Sequence, residues 1–379
     1  MSARPRTRNR SIRMLYLMHS DWNLVWQRPQ ALATSLHRRH GFRLLVPYLP
    51  SFRRWQLIRN RSPIRRLPLP QLPFARRFGF LRGINRGLAR LALHAIGWLW
   101  PPDVVLVPYP SLHAVLPSRL RRRPIVYDCM DLAVGFHPGA ETRDELSAQE
   151  RALVAEARLV FVSSVYLKRH VESLMGPNRQ AILLRNGFDA AFAAHGAPAG
   201  QPGDEGGRVR IGYFGMISAW FDQEAIHACL QAFPELEVHL WGPHDVELRP
   251  HPRLVSHGGI PHHQLPAAVA PMDAMIMPFV VTDLIEGVDP VKLYEYLSLG
   301  KLVISVSYPE LDHFAGLVQF YRSPDELLEL VGRLVRRDPS LRPDPDATAE
   351  FLRGSTWEIR AEVMASRVEQ LLSEPAPIP

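Results

Sequence analysis

The run Asp289-Pro290-Val291-Lys292-Leu293-Tyr294-Glu295-Tyr296-Leu297-Ser298-Leu299-Gly300-Lys301 decides how the chain folds. Pro290 has the fixed φ that suits the first position of a helix, and Gly300 readily closes one, so the run reads as a helix of roughly two to three turns. Leu293, Tyr296 and Leu297 recur at helical spacing and face a core. Lys292 and Glu295 lie towards the opposite side, near the start, where Pro290 and Val291 open the helix. An ammonium beside free helix amides suits phosphate, a carboxylate one turn on suits a diol, and the two together suit a nucleotide. A short amphipathic helix with two solvated charges is the alternative. Against it stands Leu302-Val303-Ile304-Ser305-Val306, patterned as a parallel strand buried on both faces, which sets the helix in a βα repeat where ligands gather at strand ends.

Outward from that run, strands and helices alternate twice over. In the N-terminal half, residues 13–19, 44–48, 104–109, 124–131 and 159–163 read as strands, and helices are predicted over 25–37, 81–100, 143–157 and 165–175. The stretch 50–77 reads as a Pro-rich loop. Ser20-Asp21 is a loop with capping chemistry, followed by Trp26-Gln27-Arg28-Pro29-Gln30-Ala31-Leu32-Ala33. Tyr127-Asp128-Cys129-Met130-Asp131 brings two carboxylates to a strand end, where Asp131 or Asp128 could take a proton from a hydroxyl, or Asp131 could cap a helix. Residues 181–189 form a strand entering an Asn186-Gly187 turn, and 193–207, rich in Ala, Gly and Pro, read as a linker. Strands over 209–215 and 238–243 end in Gly215 and Gly242, where backbone can approach a phosphate. Further strands over 274–279, 302–306 and 319–321 precede helices over 324–336, 348–352 and 357–372.

The central run, with the Gly300-Lys301-Leu302-Val303-Ile304 strand behind it, resembles the donor-site signature of GT-B glycosyltransferases, in which a Pro-x-x-x-x-Glu helix holds a nucleotide sugar. Gly258-Gly259-Ile260-Pro261-His262-His263-Gln264-Leu265-Pro266 resembles the loop whose backbone recognises the base, and Asn186-Gly187-Phe188-Asp189 resembles the end of the first domain. Trp22 with Gln27-Arg28-Pro29-Gln30 resembles the first strand-helix turn of glycosyltransferase family 4 enzymes of teichuronic-acid and exopolysaccharide type. The resemblance implies an α/β protein of GT-B fold, two Rossmann-like domains facing a cleft, with C-terminal helices crossing back to the first. The expected limits are 1–190 for an acceptor domain, 191–207 for a linker, 208–345 for the nucleotide-sugar domain, and 346–379 for the C-terminal helices and a disordered tail. Donor contacts are expected from Glu295, Lys292, Pro290, Val291, Gly215, Gly242 and Ile260, and acceptor-side contacts from Arg28, Gln30 and Asp21. No metal or other cofactor is expected, the nucleotide diphosphate sugar being the donor substrate.

Two departures from the pattern matter. The first acid of the family's E-x7-E motif would fall on Gly287, with Glu286 one residue too far, so Glu286 is expected as an electrostatic partner only if the sugar's anomeric configuration is retained. Asp131, or failing that Asp128, is the expected base if it is inverted. The Gly215 loop also lacks an arginine and lysine pair between Met216 and Phe221, which leaves the diphosphate to Lys292.

With 379 residues and 46% hydrophobic content, the chain can build two cores. Its two cysteines, Cys129 and Cys229, lie too far apart in sequence to suggest a disulfide framework or a zinc site, which fits a reducing cytoplasm. No stretch reaches the ~20 apolar residues of a membrane span, and no signal-type core follows the basic start. The net charge of +8 is uneven: between Asp21 and Asp103 there are fifteen arginines and no acid. Arg53, Arg54, Arg65, Arg66, Arg76 and Arg77 are interleaved with Phe52, Trp55, Phe74, Phe78, Phe80, Trp98 and Trp100, the profile of an anionic-lipid surface. A solvated basic face is the plainer reading, and no nucleic-acid-binding motif accompanies the charge. The expected protein is therefore a cytoplasmic enzyme, peripheral on the inner face of the plasma membrane through residues 50–100, moving a sugar to a lipid-linked or glycan acceptor. A nucleotide-sugar epimerase of the same fold and a noncatalytic nucleotide-sugar-binding scaffold are the competing readings.

Overall fold

The unbroken apolar runs become strands because both of their faces are covered. The computed structural model describes residues 11–23, 26–52, 62–75, 78–136, 140–194 and 207–374. Its first sheet has seven strands: β1 (Arg13–Tyr16), β2 (Arg43–Tyr48), β3 (Arg65–Pro68), β4 (Val104–Val107), β5 (Ile125–Cys129), β6 (Leu159–Val162) and β7 (Ile182–Leu183), in the order β3-β2-β1-β4-β5-β6-β7. The second has six: β8 (Val209–Phe214), β9 (Leu236–Trp241), β10 (Leu254–Ser256), β11 (Ala274–Met277), β12 (Leu302–Val306) and β13 (Gln319–Tyr321), in the order β10-β9-β8-β11-β12-β13. Every pairing is parallel. In each sheet the strand order reverses once, beside β1 and beside β8, and such switch points open a crevice at the carboxyl ends of the strands.

Strand alternation gives the first sheet two cores. Leu15, Val105 and Tyr127 point to the side covered by Leu93 and Leu153, while Met14, Tyr16, Leu106 and Val126 point to the side covered by Leu32 and Leu36. The last helix, Trp357–Ser373, joins that second side through Trp357, Ala361, Met364 and Val368, so the chain's end returns to its first half. Where it crosses, Phe188 donates its N–H to the Ser355 carbonyl (3.1 Å) and Trp357 donates to the Phe188 carbonyl (3.0 Å). A Cβ on Gly187 would lie 2.6 Å from the Ser355 oxygen, which accounts for glycine in the Asn-Gly turn. The preceding helix, Pro345–Arg353, stays with the second half, its Phe351 stacked on Tyr294 at 5.8 Å.

Several local expectations are revised. Residues 65–68 form β3, an edge strand, where only one row of backbone hydrogen bonds is needed and proline is tolerated. The helix expected from Val25 begins at Arg28: Gln27 caps it, Pro29 sits in its first turn, and Val25 lies outside the described residues. Pro290 caps the central helix, which runs Val291–Ser298, and Gly300 follows in the left-handed region at φ 66. The loop 280–289 contains one helical turn, Asp283–Glu286. Arg53, Arg54, Trp55, Arg76, Arg77 and most of the expected linker lie outside the described residues.

Candidate functional site

A cleft of about 220 Å³ lies between the two sheets. On the second sheet's side its floor is the pair of strand ends Gly215 and Gly242. Their backbones are close, with Gly215 N–H donating to the Trp241 carbonyl (2.8 Å) and Gly242 N–H to the Gly258 carbonyl (2.8 Å). Their φ values, 133 and 146, favour glycine, and a Cβ on Gly242 would stand 1.9 Å from the Gly215 oxygen. A Cβ on Gly215 would stand 2.2 Å from Lys292 Cε. The glycines therefore let two strand ends and the lysine stem share one layer.

The Val291–Ser298 helix is anchored by Leu293, Tyr294, Tyr296 and Leu297, all buried, with the Tyr296 hydroxyl accepting the Phe214 N–H (3.2 Å). This leaves Lys292 and Glu295 on the cleft. The Lys292 ammonium lies 5.8 Å from the Tyr213 ring centre and 5.6 Å from that of Phe279, and has no hydrogen bond or ion pair among the described residues. Burial lowers its pKa, against the opposing pull of Glu295. Glu295 accepts the His262 Nε2–H (2.7 Å), and the His262 ring stacks on Phe192 at 4.4 Å and faces Trp26 of the first half at 6.3 Å. Pro290, Val291 and Ile260 also line the cleft. Trp26 and His262 line the cleft as an aromatic pair, backed by the buried Phe192, that sequence alone did not single out. His262 and Trp26 stand inside recognised motifs, whereas Phe192 carried no signal.

On the first half's side, the expected residues divide. Asp131 lines the cleft, and burial, opposed by Arg28 and reinforced by Asp128, raises its carboxyl pKa to about 7. Asp128 does not line it. Both of its oxygens are taken by Arg28, with Nε at 3.2 and 3.0 Å and Nη2 at 2.6 Å, and its side chain is wholly buried. A carboxylate so held cannot meet an acceptor, which corrects its expected role as a base. Arg28 reaches the cleft wall, yet its remaining donors go to the Leu184 carbonyl (2.8 Å) and Asn186 Oδ1 (3.1 Å), so it ties strands together.

Gln30 and Asp21 are likewise inward-turned. Gln30 accepts the Gln27 N–H (3.2 Å) and donates to the Trp22 carbonyl (3.1 Å), while Asp21 accepts from Asn23 N (2.8 Å) and Ser51 N (2.8 Å). They shape the first loop, and neither lines the cleft. Glu286 is also outside it: half-buried at the end of its helical turn, it neighbours Tyr166, whose pKa is raised by burial, Asp283 and Glu286. Glu286, expected as an electrostatic partner if the anomeric configuration is retained, is thus not among the residues that line the cleft.

No family model matches the chain. It is 25% identical over 202 residues to TuaH of Bacillus subtilis (strain 168), named as a teichuronic acid biosynthesis glycosyltransferase; the match spans 49% of this chain and 51% of that protein, about half of each. Among solved structures it resembles sucrose-phosphate synthase from Thermosynechococcus elongatus, with a TM-score of 0.72 and 16% identity over 95% of this chain and 99% of that one. It also resembles Anabaena HepE in complex with UDP and glucose, with a TM-score of 0.68 and 17% identity over 94% and 99% of the two chains. Two parallel sheets facing one cleft, closed by a last helix that returns to the first sheet, give this chain the GT-B fold of the glycosyltransferases.

Proposed function

We propose that the protein is a glycosyltransferase that moves a sugar from a nucleotide diphosphate sugar to a lipid-linked or polysaccharide acceptor, working from the cytoplasm at the inner face of the plasma membrane. The observation that carries the donor half is Lys292. Of the two cations lining the cleft among the described residues, Arg28 is held by Asp128, and Lys292 is free beside the side-chain-free strand ends Gly215 and Gly242. An unpaired ammonium over exposed backbone suits a diphosphate, and the carboxylate of Glu295 one turn on suits a ribose diol. HepE, of the same fold, was solved with UDP and glucose.

Asp131, the cleft carboxylate with a pKa near neutrality, takes the acceptor's proton as the acceptor oxygen attacks the anomeric carbon and the nucleoside diphosphate leaves. Lys292 balances the charge gathered on the leaving group. Direct displacement of this kind inverts the anomeric centre, so the product's anomeric proton, read by NMR, reports the route.

The acceptor half rests on the Gly79–Leu99 helix. Ala89, Leu93 and Ile96 face the core, while Phe80 (69% exposed), Leu91 (67%) and Trp98 (61%) recur at helical spacing on the other side, with Ile84 between them. A helix apolar on two faces, in a span without acids, suits an anionic lipid surface. No helix among the described residues is long and apolar enough to cross a membrane. The test incubates the protein with labelled nucleotide diphosphate sugars and a membrane lipid extract. Label passing to the lipid or polysaccharide fraction supports transfer; an isomeric nucleotide sugar formed without acceptor supports an epimerase, and binding without turnover a scaffold.

A further inference from the structure

Away from the cleft floor, one carboxylate of the second half is buried in the first. Glu310 stands in the turn Pro309–Phe314 that follows β12, and its side chain is 2% exposed. Its Oε2 accepts the N–H of Val165 (2.8 Å) and of Tyr166 (3.3 Å), the opening amides of the Val165–Ser173 helix behind β6. Its other oxygen pairs with Arg185, on the segment leaving β7. The helix's own cap, Ser164, serves only Leu167 N (3.1 Å), so Glu310 supplies the anion that the first turn otherwise lacks.

The same turn reaches the donor helix. His313 Nε2 lies 3.0 Å from the Tyr294 hydroxyl, which donates to Asp289 Oδ1 (2.9 Å), and Asp289 Oδ2 accepts the Asn186 N–H (2.6 Å). With His313 Nδ1 2.8 Å from the Glu310 carbonyl, Glu310, His313 and Tyr294 join the start of a first-half helix to the helix that carries Lys292 and Glu295.

We propose that Glu310 is a positioning residue, an interdomain latch that holds the two sheets at the spacing which brings Asp131 to Lys292 and Glu295. Drawing the halves apart strands a buried carboxylate, two helix amides and a guanidinium, groups that are costly to leave unpaired. Loss of the charge therefore acts on the spacing of the halves, which each keep their own core. The kinetic consequence rests on the transfer reading above; the spacing does not.

The test places spin labels at Arg122→Cys and Glu235→Cys, exposed positions on the two halves, in a protein whose Cys129 and Cys229 are buried. Glu310→Gln, which keeps shape but can no longer serve both the amides and Arg185, is expected to lengthen and broaden the interlabel distances. Arg185→Gln, at a side chain 21% exposed and therefore milder for folding, is expected to do the same, and the double variant no more than either alone. Donor affinity is expected to change less than about threefold while kcat/KM for transfer falls at least about tenfold. Unchanged distances in both variants, even with lowered thermal stability, would reduce Glu310 to a fold contact and overturn the latch. Altered distances in a protein that transfers no sugar even as wild type would leave the latch standing and remove the function.

Discussion

Lys292 is one of three lysines in a chain that otherwise uses arginine for its positive charge. Its stem crosses Gly215, where a Cβ would stand 2.2 Å from Lys292 Cε, and its compact ammonium sits near the Tyr213 and Phe279 rings. Lys292→Met should weaken binding of a nucleoside diphosphate far more than that of the bare nucleoside; equal losses in calorimetry would take the lysine away from the phosphates. Charged hydrogen bonds are worth ~1.5–3 kcal/mol, so Glu295→Ala should cost roughly 10- to 150-fold in nucleotide affinity. Asp131 makes a pH prediction with a definite sign. Its carboxyl, raised from 3.8 to about 7, must be ionised to act as a base, so turnover should rise with pH through about 7, and Asp131→Asn should lose turnover by ~10²–10⁴-fold while donor binding survives. A raised acid pKa also means that the folded state holds a proton the unfolded chain has released, so this group lowers stability as pH climbs from about 4 to 7. Asp131→Asn should accordingly be more heat-stable than the wild type at pH 8 but not at pH 4. Lys292, Glu295 and Asp131 were legible as cleft residues because charged side chains at strand and helix ends stand where an α/β fold opens its crevice. Asp128 was misread for a physical reason: a buried pair with Arg28, a hundred positions away, leaves no trace in either local pattern.

At the scale of elements, the proposed function assigns the strand ends and the two-faced helix separate roles. Gly242→Ala would force a methyl to within 1.9 Å of the Gly215 oxygen at a φ of 146, so it should lower thermal stability and abolish nucleotide binding together. Retained binding would show that the strand ends do not form the floor. The Gly79–Leu99 helix should need anionic lipid for vesicle sedimentation, and salt should weaken the basic share of that binding, each arginine near the surface contributing ~1 kcal/mol. Replacing Phe80, Leu91 and Trp98 by serine should remove the part that salt does not screen, and replacing Arg53, Arg54, Arg65 and Arg66 by glutamine should remove much of the rest. Sedimentation indifferent to lipid charge and to both sets would return the region to a plain solvated face. The fully apolar strands were readable because burial on both faces leaves an unmistakable run. β3 was not, since an edge strand reading Arg-Arg-Leu-Pro is held by backbone hydrogen bonds to β2 and needs no apolar pattern.

At the scale of the molecule, the alternation of strand and helix foretold two parallel sheets, and the central run was read as a helix in a βα repeat, which the structure sets between β11 and β12 of the second sheet. The return of Trp357–Ser373 to the first sheet entered only through family resemblance, because nothing in an amphipathic helix states which of two cores it will join. The contacts that tie the halves, Glu310 to Val165 and Asp289 to Asn186, are long-range and polar, and no sequence period marks them. The central claim is that the cleft between the halves holds a nucleotide diphosphate sugar through Lys292 and Glu295. Its most direct test is calorimetric titration of the wild type and of Glu295→Ala with a panel of nucleotide diphosphate sugars built on different bases. The account predicts that at least one binds the wild type in a single saturable event and binds the variant roughly 10- to 150-fold more weakly. No binding by any member of the panel, or binding that the loss of Glu295 leaves unchanged, would contradict it.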